Sequence, residues 1–188
     1  VYETEKQCEK EALMVLDEYS DMCKNLLALP VLKGKKTKKE KFAGAKDTYA
    51  IEAFMPDGKA LQAGTSHNLG QGFAKAFGIS YIDQNEKAQT PWQNSWGVST
   101  RLIGGTIMTH SDDKGLVLPP SLAPTQIIII PIFKGENKNK IMKEVEKIKL
   151  ELEEYKIKID GREEYSPGYK FNEYELIGIP LRIEFGER

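Results

Sequence analysis

Histidine and cysteine are scarce in this chain of 188 residues, with two of each. His67, His110, Cys8 and Cys23 make no Cys-x-x-Cys pair and no spaced Cys/His set, which excludes a zinc-finger-like metal site. The two cysteines fall in one expected helix and read as buried core thiols of a reducing compartment. Long apolar runs are also missing. The longest, around Gln126 to Phe133, is far too short to span a bilayer. The polar start, Val1 to Lys6, has no signal-peptide pattern, and the lack of an initial Met suggests a processed or excised chain. Net charge is nearly absent, at −1. No global field draws the chain to nucleic acid, so any RNA contact must come from local patches. No serine–histidine–aspartate order, P-loop or dinucleotide fingerprint occurs.

What is present is an ordinary globular composition, 40% hydrophobic and 29% charged. Apolar residues recur at spacings of three and four from Cys8 to Leu27, predicting a helix over 3–29 that Pro30 stops. The run Lys33 to Lys41 holds six lysines. It reads as a solvated loop, with an RNA-facing patch as the alternative. Strands are expected over 48–55 and 59–64, joined by the Pro56-Asp57-Gly58 turn. Thr65 to Asn68 then reads as the cap of a helix whose apolar face is Leu69, Phe73, Ala76 and Phe77. A short strand over 79–83, a polar loop, a strand over 93–98 and a helix over 100–110 capped by Ser99 follow. Gly104-Gly105 inside that helix costs roughly 1 kcal/mol each against Ala, and close packing on a sheet is one reason for it. Three prolines between Leu116 and Thr125 mark a crossover. Beyond it, Gln126 to Ile130 reads as a strand buried on both faces. A helix over 137–154, a strand over 156–160, a short helix over 170–177 and a strand over 181–185 complete a small α/β unit.

Three segments carry unusual residue choices. Gln62-Ala63-Gly64-Thr65-Ser66-His67 sets an amide, two hydroxyls and an imidazole at an expected strand-to-helix junction, where free N–H groups favour anions. A capped helix with a satisfied histidine is the plain alternative. Asn94 to Gly104 runs from another strand into another helix, with Arg101 in its first turn. A cation there opposes the helix dipole unless an anionic ligand such as phosphate shares it. The alternative is an arginine paired with a surface carboxylate. Lys41-Phe42-Ala43-Gly44, with Glu52 on the next strand, offers an aromatic wall for an apolar pocket, or simply a core phenylalanine. Asp112-Asp113 reads as a turn rather than a metal site.

These segments resemble the prolyl-tRNA synthetases of the archaeal and eukaryotic kind. The likeness rests on Lys38 to Gly44, Ile51 to Phe54, Gly64-Thr65-Ser66-His67 with Leu69-Gly70, and Gln93 to Gly97. It continues through Thr100-Arg101 with Ile103-Gly104, His110 to Pro120, Tyr165 to Gly168, Lys170-Phe171-Asn172 and Glu175-Leu176. It implies an α+β fold: a class II antiparallel catalytic sheet with helices over 1–118, including that class's third motif, and the start of an anticodon-binding domain over 119–188. It implies proline–tRNA ligase activity, in which proline and ATP give prolyl-adenylate and the prolyl group passes to tRNA(Pro).

The resemblance also implies roles. Arg101 is the catalytic, ATP-binding arginine of the third motif. Gln62, Thr65 and Ser99 lie at ATP, with Gln62 near Mg2+. His67 and Trp96 form the proline pocket, and Phe42 packs on the ring. The first two class II motifs are not found. The expectation is therefore a fragment of a longer cytoplasmic enzyme, homodimeric at full length, inactive alone, with no membrane association. The room between Val1 and Arg101 leaves out the large editing insertion of the bacterial-type relatives. A non-catalytic tRNA- or protein-binding module derived from a synthetase is the competing reading.

Overall fold

The computed structural model describes residues 1–187. Its fold is α+β, in two compact units, Val1–Thr109 and the part from His110 onward.

In the first unit, helix α1 (Glu5–Asn25) opens with a capping box between Thr4 and Gln7 and buries Cys8, Ala12, Val15, Leu16 and Cys23 on one face. It is shorter than the 3–29 expectation because the chain turns before the proline, with Ala28 at φ 49. The helix lies on a four-stranded antiparallel sheet of order β1 (Leu32–Lys35), β2 (Asp47–Phe54), β3 (Ala60–Gly70), β6 (Gln93–Val98). Ile51, fully buried on β2, contributes about 1.5–3 kcal/mol by leaving water. A two-stranded hairpin, β4 (Tyr81–Ile82) and β5 (Ala88–Gln89), stands in the 79–90 segment.

Two expectations fail here. The lysine run read as a loop begins with β1, an exposed edge strand on which charge discourages further pairing. Thr65 to Asn68 do not cap a helix. They continue β3 to Gly70, and helix α2 is only Gly72–Ala76. Pairing with β2 on one side and β6 on the other satisfies the backbone of this stretch more fully than a capped turn. Helix α3 (Arg101–His110) follows β6. A Cβ on Gly105 would stand 2.9 Å from Leu61 Cδ2, so that glycine permits close helix packing. Nothing in the structure explains Gly104.

The second unit is a three-stranded parallel sheet, β8 (Ile157–Ile159), β7 (Ile127–Ile132), β9 (Leu181–Gly186), with β7 central. Period-two alternation sends Ile127 and Ile129 into a core with Ile141 and Val145 of α4 (Lys138–Glu151), and Ile128 and Ile130 into another with Tyr174 of α5 (Pro167–Leu176). Both faces of β7 are thus covered, as its unbroken apolar run requires. Ser166 caps α5 and Pro167 begins it. Asp112 and Asp113 lie in a turn closed by the Asp112–Gly115 bridge. Among the described residues no helix is long and apolar enough to cross a membrane.

Candidate functional site

The site grows from one irregularity in β3. Glu52 pairs with Gln62 and Ile51 with Gly64, leaving Ala63 as the extra residue of a β-bulge. Without the bulge, Gln62 and Thr65 would project from opposite faces. With it, Gln62, Thr65 and His67 stand opposite Glu52, Ala50 and Thr48, all on one face. That face is turned away from α1. The other holds the helix contacts: Tyr49 and Asn68 bind Glu9, and a Cβ on Gly64 would touch Tyr19.

On the face turned away from α1 the central cross-strand row is Gly34, Ala50, Thr65 and Gly97, all small. A Cβ on Gly34 or Gly97 would meet nothing within 4 Å. The row is a low floor between taller neighbours. At one end Gln62, Thr65, Gly97, Ser99 and Arg101 line a cleft of about 300 Å³. Ser99 Oγ accepts from Arg101 N at 3.3 Å at the start of α3, and Arg101 Nη1 donates to the Gln62 carbonyl at 3.1 Å. Among the described residues no carboxylate pairs with Arg101, so the surface ion-pair alternative falls away.

At the other end stands His67. The buried Thr48 hydroxyl accepts from Phe42 N at 3.0 Å and lies 3.0 Å from His67 Nδ1. If Nδ1 carried the proton, it and Phe42 N would both donate to the Thr48 oxygen, and the threonine hydrogen would lose the imidazole as its acceptor. The arrangement that satisfies every group has Thr48 donating to Nδ1 and Nε2–H free to donate outward; this tautomer is inferred from the network. Burial, and then the Lys36 charge, push the His67 pKa below its ordinary value, which favours that neutral form. The Phe42 ring is 5.2 Å from the imidazole and 6.3 Å from Phe73. Gly44 holds this turn at φ 87, where a Cβ would strike Phe73 at 2.9 Å.

Trp96 departs from its expected place. It pairs with Ser66, one residue out of step with His67, and so projects from the opposite face. The structure does not bring it to His67. Thr48, Gly34 and Lys36 were not singled out from sequence as site residues. Thr48 and Gly34 carry no motif and emerge only from the register. Lys36 was hidden in the lysine run, yet its ammonium binds Gln62 Oε1. Elsewhere in that run Lys33 pairs with Asp17, Lys35 with Asp47, and Lys41 binds the Ala45 carbonyl, while Lys38 and Lys39 are exposed.

Comparison with known proteins gives these features relatives. Residues 126–188 match the anticodon binding domain family. The proline–tRNA ligase of Natranaerobius thermophilus is 51% identical over 188 residues, which are 100% of this chain and 39% of that protein. That of Chloroflexus aurantiacus is 55% identical, over 98% of this chain and 39% of the relative. The crystal structure of prolyl-tRNA synthetase from Cryptosporidium parvum complexed with L-proline and AMP superposes with a TM-score of 0.89 at 47% identity, covering 99% of this chain and 41% of that one. The chain thus spans about two fifths of the length of these relatives.

Proposed function

We propose, from the premise that this chain is homologous along its whole length to prolyl-tRNA synthetases, that it supplies part of the active site of a proline–tRNA ligase. The observation that carries the reading is the single face on which a phosphate-type end (Gln62, Thr65, Ser99, Arg101) and an apolar, imidazole-bearing end (His67, Phe42) share one floor of small residues. A neighbour related at this identity was crystallised with L-proline and AMP, the two ligand chemistries these ends suit.

In this reading residues 1–118 are catalytic and residues 119–188 begin the domain that meets tRNA(Pro). ATP lies along the floor with its phosphates at Arg101 and the start of α3, whose free N–H groups add to the guanidinium. Proline packs its ring on Phe42, near the outward Nε2–H of His67. The proline carboxylate attacks the α-phosphorus, the bond to the bridging oxygen breaks, and pyrophosphate leaves with that electron pair. The prolyl group then passes to the tRNA 3′ end. No covalent enzyme intermediate is needed, so alignment and charge stabilisation account for the catalysis.

Magnesium fits only as a companion of ATP. Among the described residues no three His, Cys, Asp or Glu side chains cluster. Gln62 and Glu52, paired across the strands on this face, are the oxygens available to it. Bound there, the ion would neutralise phosphate charge. We extend the reading to a homodimeric, cytoplasmic full-length protein.

Arg101→Ala in the full-length protein tests the nucleotide end. The expected result is proline-dependent ATP–pyrophosphate exchange lowered about 100-fold or more, with an unchanged melting temperature. A variant that unfolds at ambient temperature would make Arg101 a structural residue instead.

A further inference from the structure

The cation at the centre of this face is Lys36, and its position is unusual for a lysine. Its backbone N–H donates to the Thr48 carbonyl at 2.8 Å, which sets it beside the row of Thr48 and His67. Its ammonium nevertheless binds Gln62 Oε1, in the row of Glu52. The side chain therefore crosses the floor from the imidazole end to the cleft end. Gly34 and Ala50, lying between those rows, leave room for it. Its neighbours Lys33 and Lys35 find carboxylates in Asp17 and Asp47, whereas Lys36, among the described residues, rests on a neutral amide. An ammonium has three donors, and Gln62 accepts one. Glu40 and Glu52 line the same cavity, but among the described residues no carboxylate stands within ion-pair distance of this ammonium, which leaves its remaining donors open to an anion arriving between the two ligand ends.

We propose that Lys36 is a catalytic residue of the adenylation step, its ammonium contacting the α-phosphate oxygens where the proline carboxylate attacks. The inference rests on the ligase reading and adds a residue to it. As the carboxylate bonds to phosphorus and pyrophosphate departs, negative charge on the non-bridging oxygens rises. A fixed cation there stabilises the transition state more than the ground state. Lys36 takes and gives no proton in this role. With the ammonium on phosphate, Gln62 Oε1 would be open to help hold the magnesium that accompanies ATP.

The test is Lys36→Gln beside Lys36→Arg in the full-length protein. Glutamine keeps an N–H donor for Gln62 and loses the charge; arginine keeps the charge. The expected result is a turnover number for proline-dependent exchange about 100-fold lower in Lys36→Gln, with little change in KM for ATP or proline and wild-type melting. Lys36→Arg recovers most of the loss. Removing the charge also raises the His67 pKa, read by NMR titration, which reports that the ammonium stands where described. Lys36→Gln exchanging within about threefold of wild type overturns the inference, as does a Lys36→Gln protein that no longer melts cooperatively, which assigns Lys36 to the fold. Wild-type protein that exchanges with no amino acid is a separate outcome: it removes the ligase reading itself, and this inference with it.

Discussion

At the scale of single residues, protonation state decides what the pocket offers. Neutral His67 presents Nε2–H outward because the Thr48 hydroxyl takes Nδ1, and Phe42 N–H fixes that hydroxyl. Protonation would set a second N–H against Thr48 and leave its hydrogen unpaired. Burial and the Lys36 charge hold the His67 pKa below the ordinary value of about 6.5. The sign follows. The unfolded chain takes the proton first as pH falls, so this histidine lowers stability below its ordinary pKa, and the loss stops growing once pH passes the folded value. The proline KM of the full-length protein should accordingly stay level through pH 6.5 and climb only at lower pH, and His67→Ala should carry the raised KM at every pH. A KM that climbs at the ordinary histidine pKa, or a variant with unchanged proline dependence, contradicts the assignment. Residue chemistry of this kind was partly legible in the sequence. Gln62, Thr65, His67 and Arg101 stood out as polar groups beside glycines. Thr48 did not, because a threonine in a strand is ordinary until register sets it against an imidazole.

At the scale of elements, β3 does most to make the site. Its alternation alone would divide Gln62 from Thr65 and His67, and the Ala63 bulge reunites them. The sequence signals of a cap, Thr-Ser-His-Asn, were real local preferences, but ladders on both sides of the strand outweighed them. Asn68 instead accepts from Gly70 N at 2.9 Å and turns the chain at the strand's end. Trp96 was placed in the pocket by resemblance alone, and register decides its facing, which one step reverses. The floor yields a prediction that separates function from folding. Gly97→Val adds a side chain whose Cβ meets no protein atom within 4 Å, and valine suits a strand. Melting should stay within a few degrees of wild type, while AMP or ATP binding, measured by calorimetry on the full-length protein, should fall at least about tenfold, or about 1.4 kcal/mol. Undiminished nucleotide binding would mean that the ligand does not cross this floor.

At the scale of the whole molecule, each unit has its own core and its own polar anchor. In the second unit the anchor is Asp160, buried at the end of β8. Arg162 Nε and Nη2 donate to its two oxygens at 2.9 and 2.7 Å, Tyr174 Oη donates at 3.0 Å, and Lys170 Nζ lies 3.6 Å away. Burial alone would raise the carboxyl pKa. The hydrogen bonds from Arg162 and Tyr174 and the Lys170 charge overcome it and hold the group well below the usual carboxylate range. Tyr174, desolvated and bonded to that carboxylate, is pushed up to about 12 and stays a donor. The depressed Asp160 pKa means its contribution is whole above the unfolded value near 4 and is lost as pH falls through the folded one. Asp160→Asn leaves the buried Lys170 ammonium without its carboxylate. We expect a loss of about 2–4 kcal/mol in denaturant unfolding, toward the lower end because Arg162 is partly solvated. A loss below about 1 kcal/mol would show the network to be dispensable.

The two compact units divide between Thr109 and His110, ahead of the change of texture after Pro124, whereas the doubly covered strand β7 was readable from the unbroken isoleucine run there. The Asp160 network was not, because its members are scattered from residue 160 to residue 174 and converge only through the fold. The central claim is that the Gln62–His67 face joins a nucleotide to an imino acid. The measurement that addresses it most directly is amino-acid-dependent ATP–pyrophosphate exchange by the full-length protein, run against all twenty amino acids. The expected result is exchange with proline and with no other amino acid at comparable rate. Exchange driven equally by a different amino acid, or by none, would contradict it.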